Sequence, residues 1–196
     1  MRPAPASIRS TSSWAGCSSA RQAVVFLALF LLAGGARAKV FVTVDEALKL
    51  AFPGCEVARR TAFLTPEQVR RARELSGAEV PSALVNYYAA TRAGQPAGTA
   101  YFDTHRVRTL PETLMIVVDH QGKVARVEVI SFREPEDYLP RGVWYEQFRG
   151  KALGPDLQLK RDIRPVTGAT LTARATTDAV RRVLALHQVV AGKGKP

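Results

Sequence analysis

The stretch Thr113–Phe132, TLMIVVDHQGKVARVEVISF, holds two runs of β-branched residues around a short polar break. Thr113–Asp119 and Lys123–Phe132 read as strands, and His120-Gln121-Gly122 reads as the turn that joins them. Alternation in the second run is rough, because Ala125 and Arg126 stand between Val124 and Val127. Upstream, Ser82–Arg92 (SALVNYYAATR) and Gly98–Val107 (GTAYFDTHRV) are rich in Val, Tyr, Phe and Thr, with AGQPAG between them. These runs predict an antiparallel sheet of four or more strands with one covered face.

Helices are expected on either side of these strands. Thr43-Val44-Asp45-Glu46 is a capping box, Thr followed three residues later by Glu, and it opens a short helix that stops at Pro53-Gly54. Thr65-Pro66-Glu67-Gln68 starts a second helix, with Pro in the first turn and a stop at Gly77. After the sheet, Arg133–Lys151 reads as loop and then a short helix over Gly142–Phe148. Trp144 and Phe148, at i and i+4, face the core there. Ala152–Pro165 reads as loop or a short edge strand. The last helix is predicted over Leu171–Val190, burying Thr176, Val180, Val183, Leu184, His187 and Val190. His187 fits a packed histidine or a last-turn charge better than a ligand. Residues 191–196 read as a disordered tail. The expected fold class is α+β, a twisted antiparallel sheet flanked by helices and closed by a C-terminal helix.

The 196-residue chain is 46% apolar and 23% charged, a globular composition. Residues 1–38 read separately. Arg2, Arg9 and Arg21 precede the apolar run Ala23–Ala33, and Ala36-Arg37-Ala38 has the small-x-small form of a cleavage site. That order predicts a signal peptide cut before Lys39, or an uncleaved N-terminal anchor, and hence export. Without residues 1–38 the chain loses four Arg and no acid, so its formal charge drops from +11 to +7. The basic residues are mixed with acids, as in RRARELSGAE, and form no stripe for nucleic acid. Cys55 is the one thiol beyond the leader, since Cys17 precedes the apolar run. It forms no internal disulfide, and His105, His120 and His187 have no metal-site spacing. Redox chemistry, if present, therefore belongs to an organic cofactor.

The stretch Arg164–Val180, RPVTGATLTARATTDAV, places Thr167, Gly168, Ala169, Thr170, Leu171 and Thr172 at the mouth of the last helix. First-turn N–H groups have no intrahelical partner and carry partial positive charge. Gly168 lets backbone approach a ligand, Ala169 keeps the wall low, and the Thr hydroxyls surround the opening. A phosphate suits such a turn. An ordinary Thr-capped loop explains the same residues.

VTGATLTARATTDAVRRVL resembles the flavin-attachment signature of the FMN-binding domain family. That family includes the C subunit of the sodium-translocating NADH:quinone oxidoreductase and the G subunit of the Rnf complex. The order of MIVVDHQGKVARVEVISF, the Glu134-Pro135 corner and WYEQFRGK also resembles it, over about Leu114–Leu186. The resemblance implies FMN as cofactor, its phosphate esterified to Thr170 by a flavin transferase. Esterification through phosphate leaves the flavin ring free to exchange one or two electrons. Thr167, Gly168 and Ala169 would form the turn, with Thr172 as the small hydroxyl two residues on. The family's Asp is replaced here by Arg164, so two arrangements stay open: the ester, or a non-covalent flavin whose phosphate pairs with Arg164. Glu134 and Tyr138 are further pocket candidates by the same resemblance.

The resulting expectation assigns residues 111–190 to FMN binding and residues 39–110 to an N-terminal helical and β segment of the same domain. The protein would be an electron-transfer flavoprotein rather than a stand-alone catalyst. It would lie in the periplasm or at the outer face of the cytoplasmic membrane, with a membrane redox complex or another electron donor or acceptor as partner. One alternative is an FMN-dependent reductase, with His105, Arg106 and Arg108 meeting an anionic substrate. Another is a non-catalytic module with a decayed flavin site.

Overall fold

The computed structural model describes residues 39–191. The expected leader at residues 1–38 and the tail beyond Ala191 lie outside the described residues. The strands are β1 (Lys39–Val40), β2 (Glu56–Phe63), β3 (Leu84–Arg92), β4 (Gln95–Arg106), β5 (Pro111–Val118) and β6 (Val124–Phe132). The helices are α1 (Val44–Ala51), α2 (Pro66–Ser76), α3 (Gly142–Tyr145) and α4 (Thr170–Ala191). The strands form one sheet in the order β1-β6-β5-β4-β3-β2, and every neighbouring pair is antiparallel. The fold is α+β, as the patterning implies. Among the described residues no helix is long and apolar enough to cross a membrane.

The central hairpin forms where the valine runs place it. Its turn is organised by Asp119, whose Oδ1 accepts from the N–H groups of Gln121 (2.8 Å) and Lys123 (3.0 Å). Both expected capping boxes are present, Thr43 with Glu46 ahead of α1 and Thr65 with Gln68 ahead of α2.

Four details differ from expectation. The sheet is covered on both faces, not one. Leu114, Ile116 and Val118 of β5 face α4, whereas Met115 and Val117 meet Leu48 and Phe52 beside α1. The turn between β3 and β4 needs only Ala93-Gly94, both at positive φ, so β4 starts at Gln95 rather than Gly98. Gly98 lies inside β4 because the sheet is crowded there. A β-carbon at that position would lie 2.9 Å from the Val118 carbonyl oxygen and 3.1 Å from the Phe52 ring. Strand β2 carries no legible signal, since Ala62 is its one buried side chain and Arg59-Arg60 interrupts it. Finally, α4 runs to Ala191, one residue into the expected tail.

Helix α4 packs against α2 and the sheet and defines the larger core. Thr176, Val180, Val183 and Leu184 are buried as expected, while His187 and Val190 are half-buried. His187 Nδ1 lies 3.1 Å from the Tyr101 hydroxyl and burial holds its pKa below the ordinary value, as suits a packed histidine. Trp144 and Phe148 are buried with ring centroids 5.4 Å apart, the packing role their spacing implies. Ala152–Pro165 is loop, with a single bridge between Leu159 and Ile163.

Candidate functional site

The entrance to α4 opens into a cavity of about 170 Å³ lined by Arg108, Tyr138 and Gly168–Thr172. Gly168 has φ +84°, a conformation L side chains rarely adopt, and a β-carbon there would meet no atom within 4 Å. The space over the glycine is therefore open. Thr170 is exposed, and its hydroxyl donates to the Val166 carbonyl at 3.2 Å. First-turn amides of an α-helix have no intrahelical acceptor, so the floor of the cavity offers donors and partial positive charge. Leu171 also lines it, 51% exposed.

Three elements meet at this entrance. The Thr172 hydroxyl donates to the Tyr138 carbonyl at 2.6 Å, tying the first turn of α4 to the 3₁₀ turn Glu136–Tyr138. Thr172 therefore serves as a buried brace, not as a free hydroxyl at the mouth. The Arg108 guanidinium carbon stands 5.0 Å from the centroid of the Tyr138 ring. Arg108 sits in the turn between β4 and β5, and that turn is held by Glu134. Glu134 Oε1 accepts from the backbone N–H groups of Arg108 (3.3 Å), Thr109 (2.7 Å) and Leu110 (2.8 Å). These bonds, from Leu110 and Thr109 above all, hold the Glu134 carboxyl below the usual carboxylate range.

Two expected site residues stand away from the cavity. Thr167 is exposed and is not among its lining residues. Arg164 is held by its backbone next to α3. Its N–H donates to Gln147 Oε1 at 2.9 Å, and its carbonyl accepts from Trp144 Nε1 at 2.7 Å. Its side chain is exposed and does not line the cavity. The cation at the entrance is Arg108. It is legible in the sequence only as part of HRVR, with nothing to separate it from Arg106.

A buried ionic cluster lies further along α4. His105 Nδ1 is 3.0 Å from Asp103, and its Nε2 is 3.1 Å from Glu112, its cross-strand partner. Arg182 of α4 donates through Nε and Nη2 to the two oxygens of Asp103, at 2.8 and 2.7 Å. Burial alone would lower the His105 pKa, but hydrogen bonds and charge from Asp103 and Glu112 raise it to about 9. Two cations thus match two carboxylates inside the fold. Glu112 Oε1 and the Tyr145 hydroxyl are buried without a hydrogen-bond partner, and burial pushes the Tyr145 phenol up. The sequence hints at this cluster only through Asp103 and His105, i and i+2 on one face of β4.

Residues 110–185 match the family model of the FMN-binding domain. The chain is a flavoprotein, and this segment of it belongs to the FMN-binding domain family, with FMN as cofactor. No curated protein and no solved structure matches the chain. The match takes in β5, β6, α3 and most of α4, but leaves out β1–β4, α1, α2 and Arg108. The residues at the α4 entrance fit the phosphate end of FMN: an open glycine, helix amides, an exposed hydroxyl and a guanidinium. At about 170 Å³ the cavity is smaller than the roughly 300–1,000 Å³ of pockets that enclose a small molecule. The cavity has room for a phosphate but not for a whole flavin.

Proposed function

We propose that this chain is an exported electron carrier that holds the FMN phosphate at the entrance of α4, with Thr170 as the point of attachment. The observation that carries this reading is the small, open cavity over Gly168–Thr172 within a domain of the FMN-binding family. FMN supplies one- and two-electron chemistry when bound. The chain's own part is to fix the phosphate, leave the ring accessible and contribute no competing reaction. Its cavity accords with that role. Arg108 and Tyr138 are its titratable groups, and neither forms an acid–base pair there. Thr170 supports attachment because its hydroxyl is exposed and makes one long bond, to Val166. The pattern of residues 1–38 supports export, with an electron donor or acceptor at the membrane as partner.

The reductase alternative loses support from the geometry. His105 is engaged on both ring nitrogens and is not presented to a substrate.

Intact mass after co-expression with a flavin transferase tests the proposal. Wild type is expected to gain one FMN less one water and to stay yellow after denaturation. Thr170→Ala is expected to lose the mass increment, and Thr170→Ser to keep it. A colourless wild-type protein of unaltered mass that also takes up no free FMN would refute the reading.

A further inference from the structure

We infer that Arg108 is the residue that recognises the phosphate of FMN, and that Glu134 is the positioning residue that aims it. This inference rests on the reading of the α4 entrance as the phosphate cradle. It assigns a part of the site to the segment outside the family match, which begins at residue 110.

Arg108 lines the same cavity as Gly168–Thr172, and among the described residues no carboxylate pairs with its guanidinium. Its guanidinium carbon stands over the ring of Tyr138. A guanidinium over an aromatic ring gives up no N–H to a carboxylate or carbonyl there, so its N–H donors remain available to a ligand. Those donors match phosphate oxygens two at a time. The backbone that carries the ring is itself tied to the first turn of α4, because the Tyr138 carbonyl accepts from Thr172. Arg108, Tyr138, Thr172 and the helix amides thus form one connected frame around the opening.

Glu134 controls the other end of that frame. One carboxylate oxygen gathers three successive backbone N–H groups, from Arg108 to Leu110, and the Thr109 hydroxyl at 3.3 Å. Without that acceptor three successive N–H groups of the turn lose their partner, and the turn keeps only its flanking backbone bonds, Val107 N–H to the Leu110 carbonyl and Arg133 N–H to the Pro111 carbonyl. Arg164 does not substitute, since its backbone is bound beside α3 and its side chain does not line the cavity.

The test titrates the full chain, purified without flavin, with FMN and with riboflavin, which lacks the phosphate, following flavin fluorescence. Arg108→Gln is expected to weaken FMN roughly 10- to 100-fold, the cost of a lost charge-assisted pair, and to leave riboflavin unchanged. Arg108→Lys is expected to recover part of the loss. Glu134→Gln is expected to lower the preference for FMN over riboflavin, a ratio that a general loosening of the fold would not change. FMN affinity unchanged in Arg108→Gln, or an equal loss for both flavins, overturns the assignment. Gly168→Val separates the two levels. FMN lost in Gly168→Val but kept in Arg108→Gln sinks Arg108 alone. FMN indifferent to Gly168→Val sinks the cradle, and a wild type that binds neither flavin sinks both.

Discussion

At the scale of single residues, His105 is the histidine whose ionisation the fold shifts upward. It faces Asp103 on its own strand and Glu112 across the hairpin, while Arg182 and Asp178 of α4 complete the charges around it. Its folded pKa of about 9 lies above the ordinary 6.5. The stability this contributes is full below 6.5 and disappears as pH rises through about 9. His187 has the opposite sign. Burial lowers its pKa, so its contribution is present above 6.5 and is lost as pH falls. The melting temperature is therefore expected to peak near pH 6.5 and to decline toward pH 9. In His105→Gln the alkaline decline is expected to flatten, which a series of thermal melts across that range checks. The sequence places His105 beside Arg106 and Arg108 as an equal candidate for a ligand. What separates them is direction: His105 turns inward to two carboxylates, while Arg108 lies beyond the strand in a turn.

At the scale of elements, the short helix α3 acts as a buttress for the loop leading into α4. Trp144 packs edge-on against Tyr145 and Phe148, and its indole N–H donates to the Arg164 carbonyl. Gln147 takes the N–H of the same residue, so Arg164 is pinned from both sides. Trp144→Phe keeps most of the packing and removes the donor. It is expected to cost about 1 kcal/mol and to speed hydrogen exchange at the amides of Val166–Thr170, both measurable without flavin. Elements with strong local signals are legible. Both capping boxes start helices where Thr-x-x-Glu and Thr-x-x-Gln stand. Strand β2 is not legible, because an edge strand with one buried side chain has no hydrophobic period to read.

At the scale of the whole molecule, the boundary of the family match does not coincide with a boundary of the fold. The sheet order places β4, from outside the match, directly against β5 inside it over eight paired positions. Helix α4 packs on α2, and Arg181 donates to the Ser76 carbonyl at 2.7 Å. A chain cut to residues 110–185 would expose the β4 side of β5 and the α2 side of α4. It is expected to lack a cooperative thermal transition by circular dichroism, whereas residues 39–191 are expected to melt cooperatively. Cooperative melting of the shorter piece would show that the N-terminal half is an accessory to the domain rather than part of its core.

The sequence alone determines the α+β class, the central hairpin, two capped helices, a long C-terminal helix and the family of its entrance turn. The structural elements follow from local physics: β-branched runs, a side chain three residues from its cap, a 3.6-residue period. The family follows instead from the resemblance of VTGATLTARATTDAVRRVL to the FMN-binding signature. Only the tertiary structure decides that both faces of the sheet are covered and that Thr172 is a brace. It also decides that Arg108, 60 to 64 residues before Gly168–Thr172, lines the cavity at the helix entrance while Arg164 does not. Those outcomes depend on contacts between segments far apart in the chain. Such contacts leave no pattern in composition or spacing, because the energy that selects them is burial and pairing in three dimensions.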